Sequence, residues 1–255
     1  MKIINNFRYY SLEELKRIFP DFNFKKLESP LKKGKINFIS ENGKIFLRKN
    51  DFLLYQLENK SRFFHQGIIA LNLDDVQISG NILDIGGGGE GIIGQRFGKV
   101  VTAIDKRKEE LDEAENCKCK KLVMDATDMT FNDNSFQNCT AFFSLMYMSD
   151  DTIMKVFKEA NRVLKNKGFF YIWDLKIPER VTEKEDIFII SIQVKVNENY
   201  IDTNYGIMWK NKKQDNHSIA ELACKSGFSL NQDDSIDDLI CLVLKKKYGF
   251  PSILK

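Results

Sequence analysis

The segment Ile82-Leu83-Asp84-Ile85 runs straight into Gly86-Gly87-Gly88-Gly89, with Glu90 and Gly91 following before a stretch that suits a helix. In an open α/β sheet the ligand crevice lies at the carboxyl ends of the strands, so this junction puts bare backbone where a ligand binds. Side chains at these positions hold a ligand away from the amides, and a Cβ resists the positive φ angles that such turns use. A ligand is therefore expected to pack against these glycines.

The surrounding chain keeps a regular order. Apolar runs at 82–85, 100–104, 121–124, 140–146 and 168–174 are separated by segments too long for hairpins, which is a β-α-β-α pattern. Runs apolar on consecutive residues, such as Phe169-Phe170-Tyr171-Ile172-Trp173, suit strands covered on both faces. The expectation is a doubly wound α/β fold, a mostly parallel sheet with helices on both faces. Before the fifth run, Ile153, Met154, Val156, Phe157, Ala160, Val163 and Leu164 recur at three- and four-residue spacing. Ser149, Asp150 or Asp151 caps the start of this helix, and Gly168 is expected to supply the left-handed turn after its end.

Two stretches depart from this rhythm. In residues 1–60, Ser11 to Phe19 reads as a short helix ended by Pro20, and Lys35 to Lys49 as a hairpin turning at Glu41-Asn42-Gly43. A helix and one hairpin bury too little to stand alone, so this α+β extension is expected to be a lid or packing element on the main domain, 61–255. Phe52 to Leu73 reads as a helix leading into the first strand. The second departure, about 187–210, is an inserted hairpin. Ile192, Val194 and Val196 alternate with Gln193 and Lys195, and a turn at Asn197-Glu198-Asn199 leads into Tyr200 to Trp209. A late helix from His217 to Cys224, with His217 at its cap, and a last strand from Leu239 to Leu244 follow.

Composition excludes several classes. With 43% hydrophobic and 29% charged residues the chain reads as an ordinary soluble protein, and no apolar run reaches the roughly 18 to 20 residues that cross a bilayer. Met1 to Tyr10 lacks a signal-peptide pattern, so a cytosolic setting is expected. The net charge is 39 minus 36, or +3, without a block of five or six like charges, so neither nucleic acid nor membrane is the expected partner. Lys245 to Lys247 close an apolar segment, as lysines do when they protect a sheet edge. The 5 cysteines form no Cys-x-x-Cys pair and no zinc-like quartet; free thiols and no metal site are expected.

Which ligand the glycines serve is less direct, because Gly86-x-Gly88-x-x-Gly91 also fits a dinucleotide fingerprint. Asp105, ending the second strand, can accept two hydrogen bonds from ribose hydroxyls, which suits either kind of adenosine ligand. Asp84 separates them: a carboxylate two residues before the first glycine suits a cationic ligand better than a pyrophosphate. Asp125-Ala126, ending the third strand, offers an acceptor to an exocyclic amine.

From about Asn81 to Gly168, and more loosely to Phe228, the sequence resembles the class I S-adenosylmethionine-dependent methyltransferases. It looks closest to the small-molecule branch that includes the ubiquinone and menaquinone biosynthesis enzymes. Leu83-Asp84-Ile85-Gly86-x-Gly88 resembles that family's glycine motif, Asp105 its ribose acid, Asp125-Ala126 its adenine contact, and Asn134-Ser135-Phe136 its fourth motif. Arg162-Val163-Leu164-Lys165 through Gly168 resembles the helix end before its fifth strand. The resemblance implies a Rossmann-like sheet of seven strands and S-adenosyl-L-methionine as cofactor. It implies a binding set of Asp84, Gly86, Gly87, Gly88, Asp105, Lys106, Asp125, Ala126 and Ser144. One departure is that the family's usual third glycine falls on Glu90, which either alters the turn or faces solvent.

A sulfonium methyl is already activated, so the expected reaction is an in-line displacement by a small-molecule acceptor held near the methyl, with water kept out. Where a general base is needed, His65, upstream of the glycine loop, and Tyr147, just past the fourth strand, are the candidates. Asp174, after the fifth strand, is a further acid that can orient a substrate. Tyr200, Tyr205, Met208 and Trp209 offer either an aromatic lid over an apolar substrate or a homodimer contact. The rival functions are a non-catalytic S-adenosylmethionine-binding sensor or partner subunit, and an NAD-dependent oxidoreductase.

Overall fold

The computed structural model describes residues 2–4, 7–18, 24–33, 38–48, 63–114, 116–180, 185–209 and 212–247. They fall into two units, Met1–Phe64 with Lys184–Ile187, and His65–Glu183 with Phe188–Lys255.

The first unit contains β1 (Lys2–Ile4), β2 (Phe7–Ser11), α1 (Leu12–Ile18), α2 (Glu28–Lys32), β3 (Phe38–Glu41) and β4 (Lys44–Arg48). Its four strands form an antiparallel sheet in the order β1-β2-β4-β3. Helix α1 starts in a reciprocal cap: Glu14 N donates to Ser11 Oγ at 3.3 Å, and Ser11 N to Glu14 Oε2 at 2.8 Å. The β3–β4 turn places Asn42 at φ 51° and Gly43 at φ 73°, as the Asn-Gly pair predicts. Tyr10, Leu15, Leu27, Leu31 and Leu47 pack into a core of their own. The expected stop at Pro20 lies outside the described residues. Strands β1 and β2 are additions to the expected helix and hairpin.

The second unit continues with β5 (Phe63–Asn72), β6 (Ile82–Ile85), α3 (Ile92–Phe97), β7 (Val101–Asp105), α4 (Lys108–Glu113), β8 (Lys120–Val123) and β9 (Phe136–Phe142). Then come α5 (Asp150–Val163), β10 (Leu164–Leu175), β11 (Ile187–Val196), β12 (Asn199–Met208), α6 (Asn216–Lys225), β13 (Phe228–Asp233) and β14 (Leu239–Lys246). Seven strands form one sheet in the order β13-β14-β10-β9-β6-β7-β8. Strands β10 through β8 run parallel; at one end β14 runs against β10 and β13 against β14, so β13 shares the direction of the parallel set and β14 opposes it. This is the expected doubly wound arrangement. The order reverses at β6, which has β9 on one side and β7 on the other, so the crevice opens at the tips of these three strands.

Helix α5 starts at Ser149, whose Oγ accepts from Thr152 N, and buries Ile153, Val156, Phe157, Ala160 and Val163 against the sheet. Phe157 meets Phe170 of β10 edge-on, with ring centroids 5.6 Å apart. Burial of one such side chain stabilises by about 1.5–3 kcal/mol.

Several expectations are corrected. The described part of Phe52 to Leu73 is strand β5, not helix. Gly67 sits at φ 126°, and Ile68 is 78% exposed while Ile69 is buried, an alternation imposed by pairing in a second sheet, β12-β11-β5. The left-handed residue after α5 is Lys167 (φ 68°), not Gly168. Gly168 is needed for space, since a Cβ there would lie 2.7 Å from Gln137 O. Lys245 to Lys247 do not guard an edge, because β13 covers β14; Lys246 instead donates to Leu164 O and Asn134 Oδ1. The cap of α6 is Asp215, which exchanges hydrogen bonds with Ser218, and His217 lies inside the first turn. The sulfurs of Cys117 and Cys119 are joined, while Cys139, Cys224 and Cys241 are free.

The inserted hairpin, β11–β12, turns at Asn197 (φ 50°) and Glu198 (φ 64°). The amides of both turn residues donate to Asp74, at 2.6 and 3.0 Å, and Leu73 N donates to Lys195 O at 3.0 Å. These bonds, with Lys195 and Arg96 nearby, hold the Asp74 carboxyl below the usual carboxylate range. Among the described residues, no helix is long and apolar enough to cross a membrane, and no group of three or more His, Cys, Asp or Glu is placed to hold a metal ion.

Candidate functional site

The glycine turn is squeezed by protein on two sides. A Cβ on Gly86 (φ 72°) would meet Ser144 Cβ at 2.5 Å, and one on Gly88 would meet Glu110 Cβ at 2.5 Å and Asp105 Oδ2 at 3.2 Å. A Cβ on Gly87 would strike Asp84 Oδ2. Much of the turn's glycine content is thus explained by packing at the tips of β6, β7 and β9, where the sequence alone suggested only a ligand. The amides are also largely used. Those of Gly86 and Gly87 donate to Ile104 O, that of Gly89 to Glu110 O, and that of Gly91 to Gly88 O. Among the described residues the Gly88 and Glu90 N–H groups make no hydrogen bond, so these two are the bare amides of the turn.

Three acids stand at successive strand tips around this turn. Asp84, in β6, is 2% exposed and accepts a hydrogen bond from Thr140 Oγ1 at 2.7 Å. Burial pushes its pKa up to about 7, against the lowering effect of Thr140, and the charge of Asp105 adds to the rise. At the end of β7, Asp105 Oδ1 accepts from Arg107 N at 2.8 Å, while Oδ2 points toward Gly88. Past β8, Asp125 Oδ1 accepts from Thr127 N and Oγ1, bonds that hold its carboxyl below the usual range. Met124 N donates to Asp105 O at 2.9 Å, joining the two tips. Ala126 packs against the main core, Lys106 is exposed with its charge felt by Asp125, and Ser144 Oγ donates to Ile85 O at 2.8 Å. Asp84, Gly86, Gly87, Gly88, Asp105 and Ser144 therefore form one constellation, and Asp125 and Ala126 extend it along β8.

This donor set fits an adenosyl sulfonium. A buried carboxylate beside the turn suits a positive charge, a half-buried one with a free oxygen suits vicinal hydroxyls, and an exposed one past the next strand suits an amine. A pyrophosphate would bring negative charge against Asp84.

Glu90 does not face solvent. Its Oε1 accepts from Thr203 Oγ1 at 2.6 Å and its Oε2 from the Tyr205 hydroxyl at 3.3 Å, so the hairpin is bound to the glycine turn. The Tyr205 ring stacks on Phe143, centroids 5.1 Å apart and 9° from parallel. Phe143 follows β9 at φ 47°. The four hairpin residues proposed as a lid do not act together. Tyr200 and Met208 are 63% and 59% exposed, whereas Trp209 is buried and donates to Pro178 O.

Tyr147 is 55% exposed as a residue, yet burial around its hydroxyl, followed by the charges of Asp174 and Glu90, pushes its pKa well up. Burial, and then Glu90, do the same to Tyr205. Both phenols stay protonated and can donate hydrogen bonds, so Tyr147 is poorly suited to be a phenolate base. His65 lies on β5 rather than on a helix, and its side chain is outside the described residues. Asp174 is fully buried and saturated: Oδ2 accepts from Leu145 N and Met146 N, Oδ1 from Leu175 N and Gln214 Nε2. It fixes the loop after β9 rather than a substrate, and burial raises its pKa to about 6.

Residues 83–172 match the family model described as a methyltransferase domain. No curated protein matches the sequence. Similar solved structures include an S-adenosylmethionine-dependent methyltransferase from Methanosarcina mazei, 18% identical, covering 68% of this chain and 95% of that one, with a TM-score of 0.48. The PH0226 protein from Pyrococcus horikoshii is 15% identical, over 92% of this chain and 99% of that one, at a TM-score of 0.48. A Burkholderia thailandensis 1,6-didemethyltoxoflavin-N1-methyltransferase, solved with its substrate and S-adenosylhomocysteine, is 13% identical over 66% and 72%, at 0.43. The matched segment begins in β6 and ends in β10, and it contains the glycine turn, Asp105 and Asp125.

Proposed function

We propose that this chain is an S-adenosylmethionine-dependent methyltransferase acting on a small-molecule acceptor, its motifs resembling those of the ubiquinone and menaquinone biosynthesis branch. The observation that carries the reading is the convergence of Asp84 and Asp105, from adjacent strands, on Gly87 and Gly88 of one turn. Asp105 Oδ2 would take the ribose hydroxyls, Asp125 and Ala126 the adenine, Gly88 N–H a polar atom of the donor, and Asp84 its cationic end. Gly86, Ser144 and Lys106 complete that wall.

S-adenosylmethionine supplies a methyl group already activated on sulfur. The protein's share is to orient the acceptor and exclude water. The hairpin is suited to this, because Asp74 holds its tip and Glu90 its inner face. Tyr147 and Tyr205 can donate hydrogen bonds to an acceptor. Residues 1–60 are proposed as a lid or packing element, His65 as a residue beside the acceptor, and the cytosol as the setting, without nucleic-acid or membrane partners.

Calorimetric titration tests the reading. S-adenosylmethionine and S-adenosylhomocysteine should both bind with one site per chain, followed by turnover with an acceptor panel. Tight binding of NADH with neither of these bound would overturn it.

A further inference from the structure

Resting on the reading above, we propose that Glu90 makes the acceptor side of the site selective for amines, with the Tyr205 ring beside it. A carboxylate offers about four acceptor positions, and Thr203 and Tyr205 take two of them from Glu90, which leaves capacity for a ligand donor. The phenol of Tyr205 is a donor to Glu90, held protonated by burial and by that same charge. One face of its ring stacks on the buried Phe143, and the partly exposed ring lies beside the carboxylate. A π-face next to a carboxylate holds an ammonium by two additive means, attraction to the ring quadrupole and a charge-assisted hydrogen bond.

The position of this pair follows from the two sides of the glycine turn. Gly88 faces Glu110 and Asp105 on the β7 side, where the ribose acid stands. Gly86 faces Ser144 on the β9 side, next to Phe143. Glu90 is linked to this second side through Tyr205, which donates to it and stacks on Phe143.

Charge conservation favours the same class. An amine held as the ammonium first releases a proton to water; when the neutral amine then takes the methyl group, its lone pair becomes the new N–C bond and the C–S pair stays on sulfur. The positive charge passes from sulfur to nitrogen, and the product ammonium then gives up a proton to water. Glu90 faces a cation before and after such a transfer. A phenolate, thiolate or carboxylate acceptor would instead bring a negative charge toward it.

Three probes that share a ring and differ in charge decide the question: benzylamine, benzyl alcohol and benzoate, titrated at pH 7 into protein saturated with S-adenosylhomocysteine. Benzylamine should bind about tenfold more tightly than the alcohol, the worth of one charge-assisted hydrogen bond, and benzoate more weakly still. Glu90→Gln should remove the preference while the affinity for S-adenosylhomocysteine stays within about threefold, below the loss of one such bond. Equal binding of the three probes by the unaltered protein overturns the proposal, and this arm decides the class even if the variant does not fold. A preference that survives in Glu90→Gln overturns it too. So does a variant that loses S-adenosylmethionine but keeps the amine preference, since Glu90 would then serve the donor's sulfonium. Failure of the unaltered protein to bind S-adenosylhomocysteine is a separate result, which removes the methyltransferase reading itself.

Discussion

Asp84 of β6 and Thr140 of β9 face each other across neighbouring parallel strands, with Thr140 Oγ1 2.7 Å from Asp84 Oδ1 and both residues buried. One hydroxyl does not offset the loss of water around a carboxylate, so the acid keeps its proton up to about pH 7. Folding therefore binds a proton that the unfolded chain, with a carboxyl at its ordinary value, has already lost. The stability held below the ordinary carboxylate range is lost as pH rises toward 7.

The same proton competes with a cationic ligand. S-adenosylmethionine affinity should fall by about tenfold per pH unit below the folded pKa, while S-adenosylhomocysteine, which lacks the sulfonium, should show a shallower slope. Calorimetry from pH 5.5 to 8 measures both, and Asp84→Asn should flatten the difference. Parallel slopes for the two ligands in the unaltered protein would take Asp84 out of sulfonium binding.

Asp105→Ala should weaken S-adenosylmethionine binding by about 1–3 kcal/mol through lost hydrogen bonds to a charged group. Its Oδ1 supports only the local turn at Arg107, so Tm should change little. An unchanged Kd in the folded variant would remove Asp105 from the site.

Asp174→Asn should destabilise the fold by about 2–4 kcal/mol, because the amide nitrogen that replaces one carboxylate oxygen cannot accept from the donors gathered there and leaves them unpaired. Those donors include Leu145 and Met146, so the loop carrying Tyr147 should loosen with it. Urea denaturation gives the energy, and hydrogen exchange at 144–148 shows whether the loop is affected. A midpoint equal to that of the unaltered protein is the contrary result.

The turn into β10 has its glycine one residue later than its left-handed position. Lys167→Gly should therefore stabilise by about 0.5–1 kcal/mol, relieving a side chain at φ 68°. Gly168→Ala should destabilise by about 1–3 kcal/mol, since its Cβ would press on Gln137 O and Lys165 O. Thermal melts of the two single variants should move in opposite directions.

The parallel half of the sheet was legible because each of its strands is a continuous apolar run with a helix on either side, and the acids at 84, 105 and 125 fall where those runs end. Strand β5 was not, because Phe63, Phe64, Ile68, Ile69 and Leu71 suit a helix as well as a strand, and its pairing partner β11 lies more than a hundred residues on. Strand β13, with Ser229, Asn231, Gln232 and Asp233, has too few apolar residues to announce itself. Glu90 was noticed only as a misplaced glycine. Its partners are legible in the two-residue period of β12, where Thr203, Tyr205 and Ile207 share one face and Tyr200 and Met208 the other.

The sheet is finished from its end. Strand β14 inserts between β10 and β13, so the outer edge of β10 stays open until residues 239–246 have left the ribosome. A nascent chain arrested before Leu239 holds strands β6 to β10 and the whole glycine turn, yet presents Phe169 to Leu175 as a bare, aromatic ladder. During synthesis that interval is when this protein most needs a chaperone, and truncation within β14 should drive it into inclusion bodies.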